Sequence, residues 1–187
     1  QHPDAYVSAT SGLLSAVLVV KMNWQSNTNF QAEGLERVLP RIRSLLRGIL
    51  YGYYQAEFST GRTVIDRNRA WTDDLAALEN ILGRPARIIF PVREVKAVVA
   101  SFERIHRSGA LLTNDLHQIK LRAERVEHWL APEGVIGGPV QLLRAAMEQG
   151  FDDRLLFVPY NLLVSDTANV LPGVARWLGL ARFEFDT

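Results

Sequence analysis

Arg93 and Ser101, a cation and a hydroxyl eight positions apart, sit where the chain changes its hydrophobic period. Ile88, Ile89, Phe90 and Val92 form a short apolar run of the kind a buried parallel strand needs, and Val95, Val98, Val99, Phe102 and Ile105 then recur at helical spacing. A cation at that junction is opposed by the partial positive charge of the helix N-terminus. A bound anion reverses the sign, because free backbone N–H groups and the guanidinium then face one negative group. The competing assignment for Arg93 is an ion pair with Glu94 or Glu103. Ser101 alone reads as a small residue packing helix on sheet; beside Arg93 it is a second donor.

Two other strand ends carry polar groups. Asp66 closes the run "RTVIDRNR" and is the candidate general base, with Arg67 and Arg69 as cations for a developing negative charge. A salt bridge from Asp66 to Arg67 or Arg69 is the equal alternative. Tyr160 follows "LLFVP", and both it and Trp71 are placed either to stack on a purine or to fill the core. None of the four histidines falls at a strand end, and the spacing of His117 and His128 is not that of metal ligands on one helical turn, so no metal is expected.

The elements that position these residues alternate. Residues 1–10 read as a loop, followed by an apolar helix capped by Thr10 or Ser11, a polar connector, and a long helix over Leu35 to Tyr53 that Pro40 either begins or kinks. A strand ends at Asp66, and Thr72 is the expected N-cap of a helix that stops at Gly83. The strand before Arg93 and its helix come next. A helix marked by Leu116, Ile119, Ala123, Val126 and Leu130 follows, then one from Pro139 to Met147, a third strand and a closing helix. Strand–helix alternation implies one α/β domain over residues 1–187, with a parallel sheet covered by helices on both faces. Ligands of such sheets bind beyond the carboxyl ends of the strands, where Asp66, Arg93 and Tyr160 stand. Asp66 is thus expected on a strand neighbouring that of Arg93.

Composition narrows the classes. At 187 residues and 48% hydrophobic, the chain suffices for one sizeable core. Its 21 basic and 20 acidic residues are dispersed, giving net charge +1 and no nucleic-acid footprint. There is no cysteine, which excludes thiolate chemistry and points weakly to a cytoplasmic setting. No apolar run approaches the roughly 20 residues of a membrane span, so no membrane partner is expected.

Three segments resemble the sulfotransferases that move a sulfuryl group from 3′-phosphoadenosine 5′-phosphosulfate (PAPS) to a hydroxyl or amine. "FPVREVKAVVASF" is similar to that family's 3′-phosphate motif, a strand-end arginine with a serine eight residues on. "TVIDRNRAW" resembles the strand that ends next to the sulfate in bacterial members. "LLFVPYNLLVSDTANVLPGVARWLGL" resembles the C-terminal segment, with Asn161 where relatives usually carry an acid. The resemblance implies a P-loop-NTPase-like fold and PAPS as co-substrate. Arg93, Ser101 and Tyr160 then bind it, and Asp66, Arg67 and Arg69 line the transfer site. The acceptor is a small molecule or glycan that the sequence does not specify. The family also opens with a strand and a glycine- and serine-rich loop that holds the phosphosulfate. Set beside it, "QHPDAY" falls after that loop, so the sequence reads as N-terminally incomplete by about thirty residues. Such a gap in the sheet would favour self-association. Two other readings remain: a non-catalytic sulfotransferase-like domain, and a small-molecule kinase of related fold, against which stands the lack of a GxxxxGK[ST] sequence.

Overall fold

In the computed structural model the described residues are 2–9, 11–24, 26–109 and 119–183. In chain order they form β1 (Ala5–Val7), α1 (Leu13–Asn23), α2 (Thr28–Glu33), α3 (Leu35–Tyr53), α4 (Gln55–Ser59), β2 (Thr63–Ile65), α5 (Leu75–Leu82), β3 (Ile88–Val92), α6 (Val95–Arg107), α7 (Arg122–Leu130), α8 (Gly137–Glu148), β4 (Leu155–Pro159), α9 (Tyr160–Ser165) and α10 (Thr167–Leu178). This is an α/β chain with parallel strands, as the alternation implies. The strands form two parallel pairs, β1 with β2 and β3 with β4. Asp66 therefore follows a strand paired with β1, not with the strand before Arg93, which corrects the expected neighbourhood. No helix among the described residues is long and apolar enough to cross a membrane.

The chain divides into two compact units, one from the described residues of 1–87 and 168–187, the other from those of 88–167. In the first, the reading of residues 1–10 as a loop is corrected: Ala5, Tyr6 and Val7 pair with Thr63, Val64 and Ile65. Three residues are too few to show a period, so the strand has no sequence signature apart from its partner. α3 supplies the core through Val38, Ile42, Leu46 and Leu50, a stripe of i, i+4 spacing continued by Tyr54, packed on Leu13 and Val17 of α1 and Ile81 of α5. Burying each such side chain contributes about 1.5–3 kcal/mol. Pro40 neither starts nor breaks this helix. It lies in the second turn, where the only bond it forfeits is the one to the Glu36 carbonyl. The polar connector contains α2, capped by Asn27, whose Oδ1 accepts from the Asn29 N–H at 3.0 Å. Asp74, not Thr72, caps α5: its Oδ1 accepts from the Ala77 N–H at 2.9 Å, while Thr72 is buried. Gly83 ends that helix with φ +70°, as the sequence indicates.

In the second unit, β3 and β4 run in register from Ile88 beside Leu155 to Val92 beside Pro159. The helix expected from Leu116 begins at Arg122, and Leu116 itself lies outside the described residues. Trp129 is fully buried, its ring 5.7 Å from that of Phe102. The turn after α7 folds over it, with the Ile136 N–H donating to the Trp129 carbonyl at 2.9 Å. Gly134 permits this closure, since a Cβ there would fall 2.2 Å from the His128 carbonyl oxygen.

One buried ion pair joins α6 to α7. Arg125 donates from Nη2 to Glu103 Oε1 at 2.7 Å and from Nε to Oε2 at 3.1 Å, and its Nη1 donates to the Ile119 and Lys120 carbonyls. Arg107 adds a bond to Oε1 from the exposed side. These contacts, chiefly Arg125, lower the Glu103 carboxyl from 4.5 to about 2. Because the folded value lies below the unfolded one, the stabilisation is complete above the ordinary carboxylate range. It is lost as pH falls from about 4.5 to about 2. Urea unfolding across that window should show stability falling with pH in the wild type and a shallower slope in Glu103→Gln. At neutral pH, Arg125→Met leaves Glu103 buried without its main partner and should cost about 3–5 kcal/mol.

Candidate functional site

Beyond β3 and β4 the chain places two of its sequence-derived candidates together. Val92 and Pro159 are register partners, and the next residue on each strand is Arg93 and Tyr160. The Arg93 guanidinium carbon lies 4.8 Å from the centroid of the Tyr160 ring. Tyr160 thus serves as a platform for the cation, a contact of about 0.5–1 kcal/mol at an exposed site. The competing assignment to Glu103 is settled by Arg125, which occupies both oxygens of that carboxylate. Among the described residues Arg93 has no ion pair, so its N–H donors remain available above the N-terminus of α6. Ser101 lies half-buried in the second turn of that helix, about 9 Å along the axis from Val95. Among the described residues no hydrogen bond joins its hydroxyl to Arg93.

Beyond β1 and β2 lies a second polar group. Asp66 is held from both sides: Tyr54 donates its hydroxyl to Oδ2, and Trp71 donates its indole N–H to Oδ1 at 2.7 Å. Asn68 helps to set the indole, its Oδ1 accepting from the Ala70 N–H in a tight turn just before Trp71. Trp71 is therefore a hydrogen-bond donor as well as packing. Arg67 and Arg69 are exposed on the same segment, and the Arg67 backbone N–H donates to the Ser8 hydroxyl at 2.9 Å.

Ser8 follows β1, and Ser11 precedes α1 with its hydroxyl accepting from the Leu13 N–H at 3.0 Å. Both serines are buried. The start of the sequence, read as lying after any phosphate-holding loop, therefore carries its own strand, serine-containing turn and helix N-terminus. Sequence reasoning missed Ser8, Ser11 and Tyr54. The signal was present in "VSATSGLL", where a serine follows the apolar run and another, with a glycine, precedes the next one. Thr10 of that stretch is outside the described residues. Tyr54 gave no comparable signal, because it continues the core stripe of α3. Burial and the bond to Asp66 raise its phenol above the usual tyrosine value, so it is a neutral donor at physiological pH.

No family model matches the sequence, and no curated protein matches it. A solved sulfotransferase domain from the curacin biosynthetic pathway is similar in structure, with a TM-score of 0.51 and 18% sequence identity over 89% of this chain. The matched region is 56% of that domain's structure, so the chain spans little more than half of its length. The likeness shows a sulfotransferase-like fold. Tyr160→Leu removes the platform under Arg93 and should cost about 0.5–1 kcal/mol of stability. Urea unfolding beside the wild type checks it.

Proposed function

We propose that the chain is a sulfotransferase that passes a sulfuryl group from PAPS to a hydroxyl or amine of a small molecule or glycan. The observation that carries this reading is Arg93, a cation with no ion pair among the described residues, laid on Tyr160 at the carboxyl ends of a parallel strand pair and at the N-terminus of α6. That arrangement suits a phosphate dianion: the guanidinium supplies two convergent donors and the first turn of the helix supplies backbone N–H groups. Ser101 is assigned to the same nucleotide as a hydroxyl donor, and Tyr160 to the wall beside it.

In the other unit, Asp66 is assigned as the base. In the reaction the acceptor oxygen or nitrogen forms a bond to sulfur, the bond from sulfur to the phosphate oxygen breaks, and 3′-phosphoadenosine 5′-phosphate (PAP) leaves with that electron pair. The acceptor proton passes to Asp66. Sulfuryl transfer, like phosphoryl transfer, gains most from positioning and charge stabilisation. Arg67 and Arg69 are the cations for that purpose, and the buried serines and helix N-terminus of the β1–α1 turn are further donors to an anionic oxygen. Each carboxylate oxygen of Asp66 already accepts one hydrogen bond and retains a lone pair for the proton.

Isothermal titration separates this reading from its rivals. PAP should bind without magnesium and more tightly than ATP with magnesium; the reverse preference would indicate a kinase, and no binding of either a non-catalytic domain. Arg93→Ala should lose about 1.5–3 kcal/mol of PAP affinity, the scale of a hydrogen bond to a charged group. Asp66→Asn should lower turnover far more than PAP affinity. Equal losses in both would identify Asp66 as a structural residue.

A further inference from the structure

We propose that Tyr54 is the positioning residue for Asp66, fixing its carboxylate at the end of β2. The inference rests on the reading of Asp66 as the base. Tyr54 follows the last residue of α3 and is 5% exposed, with its ring 5.8 Å from that of Tyr6 on β1 and 4.8 Å from that of Tyr53. Its position is therefore set by the core. From that fixed point its hydroxyl reaches Asp66 Oδ2, while Trp71 holds Oδ1. The Arg67 backbone N–H, next along the chain, donates to the Ser8 hydroxyl at 2.9 Å, so the turn after β1 is joined to the residue beyond Asp66.

The physical case follows from the freedom of an aspartate. Its terminal torsion is broad and close to two-fold, so a carboxylate held by one donor still swings about that bond. Two donors on different oxygens remove the swing and leave one lone pair on each oxygen aimed outward. A base must meet the transferred proton within hydrogen-bond reach, and misplacement by about 1 Å can cost about a hundredfold in rate. A buried tyrosine hydroxyl needs some partner in any case. Here the partner is a half-buried carboxylate at a strand end that also receives an indole N–H, and satisfying a phenol does not require that second donor.

The test uses labelled PAPS with water as acceptor, so that no acceptor need be known; release of inorganic sulfate is followed under single-turnover conditions. Asp66→Asn, Tyr54→Phe, Trp71→Phe and the Tyr54→Phe/Asp66→Asn double variant are compared, with PAP affinity and near-UV circular dichroism measured for each. Tyr54→Phe should slow release by about tenfold or more with PAP affinity unchanged, and the double variant should be no slower than Asp66→Asn alone, since residues acting through one another are not additive. If Tyr54→Phe does not fold, Trp71→Phe carries the same expectation through the other donor. Wild-type rate in both phenylalanine variants beside a slow Asp66→Asn would overturn the inference and leave the base assignment standing. So would multiplying losses in the double variant, which would mean that Tyr54 acts independently of Asp66. Wild-type rate in Asp66→Asn itself would overturn the base assignment, and this inference with it.

Discussion

Parallel pairing is the constraint on which the polar chemistry of this chain depends. Two parallel strands cannot be joined by a hairpin, so each pair needs a long crossover, and both chains of a pair leave the sheet at the same end. β1 reaches β2 through α1 to α4, and β3 reaches β4 through α6 to α8. Four of the candidate residues stand at such exits: Ser8 and Asp66 after the first pair, Arg93 and Tyr160 after the second. The register does the rest, because Val92 opposite Pro159 forces the next residues, an arginine and a tyrosine, to become neighbours although 67 positions separate them.

The two units solve the problem of polar groups at a sheet end differently. After β1 and β2 the groups are mutually satisfied, with Tyr54 and Trp71 on Asp66 and the Arg67 backbone on Ser8. A carboxylate so held stays in one place, at the cost of part of its hydrogen-bonding capacity. After β3 and β4 the Arg93 cation rests on an aromatic face and has no ion pair among the described residues. In the same unit the Arg125 guanidinium is fully committed, to a carboxylate and two carbonyls. Among the described residues the unit thus holds a buried arginine with its donors committed and an exposed arginine without an ion pair.

Those features were legible in the sequence to the extent that a local pattern carried them. The switch from apolar run to helical spacing around Arg93 marked a strand, a helix and the residue between them, and all three are where the pattern puts them. The stripe from Val38 to Leu50 gave α3. Pairings between distant residues left no local trace. β1 is three residues long and becomes a strand only because Thr63–Ile65 is there to pair with it. Tyr54 looks like one more core position until Asp66 is brought to its hydroxyl. Glu103 reads as an ordinary acid on a helix, and Arg125, 22 residues later, makes it a buried anchor. The Thr72 cap failed for a smaller reason: two acids follow it, and either can cap as well as a threonine, so the helix starts at the second.

The central claim is that Arg93 is a receptor for the phosphate of a sulfuryl donor. The most direct measurement is the side-chain Nε–Hε resonance of Arg93, assigned by its loss in Arg93→Lys, followed by NMR during titration with PAP. The account predicts a saturable downfield shift of that resonance, reached without magnesium and retained when PAPS replaces PAP, since both carry the phosphate that Arg93 receives. An Arg93 resonance that stays in its free position while PAP saturates the protein elsewhere, or that responds no more to PAP than to an equal ionic strength of chloride, would contradict it.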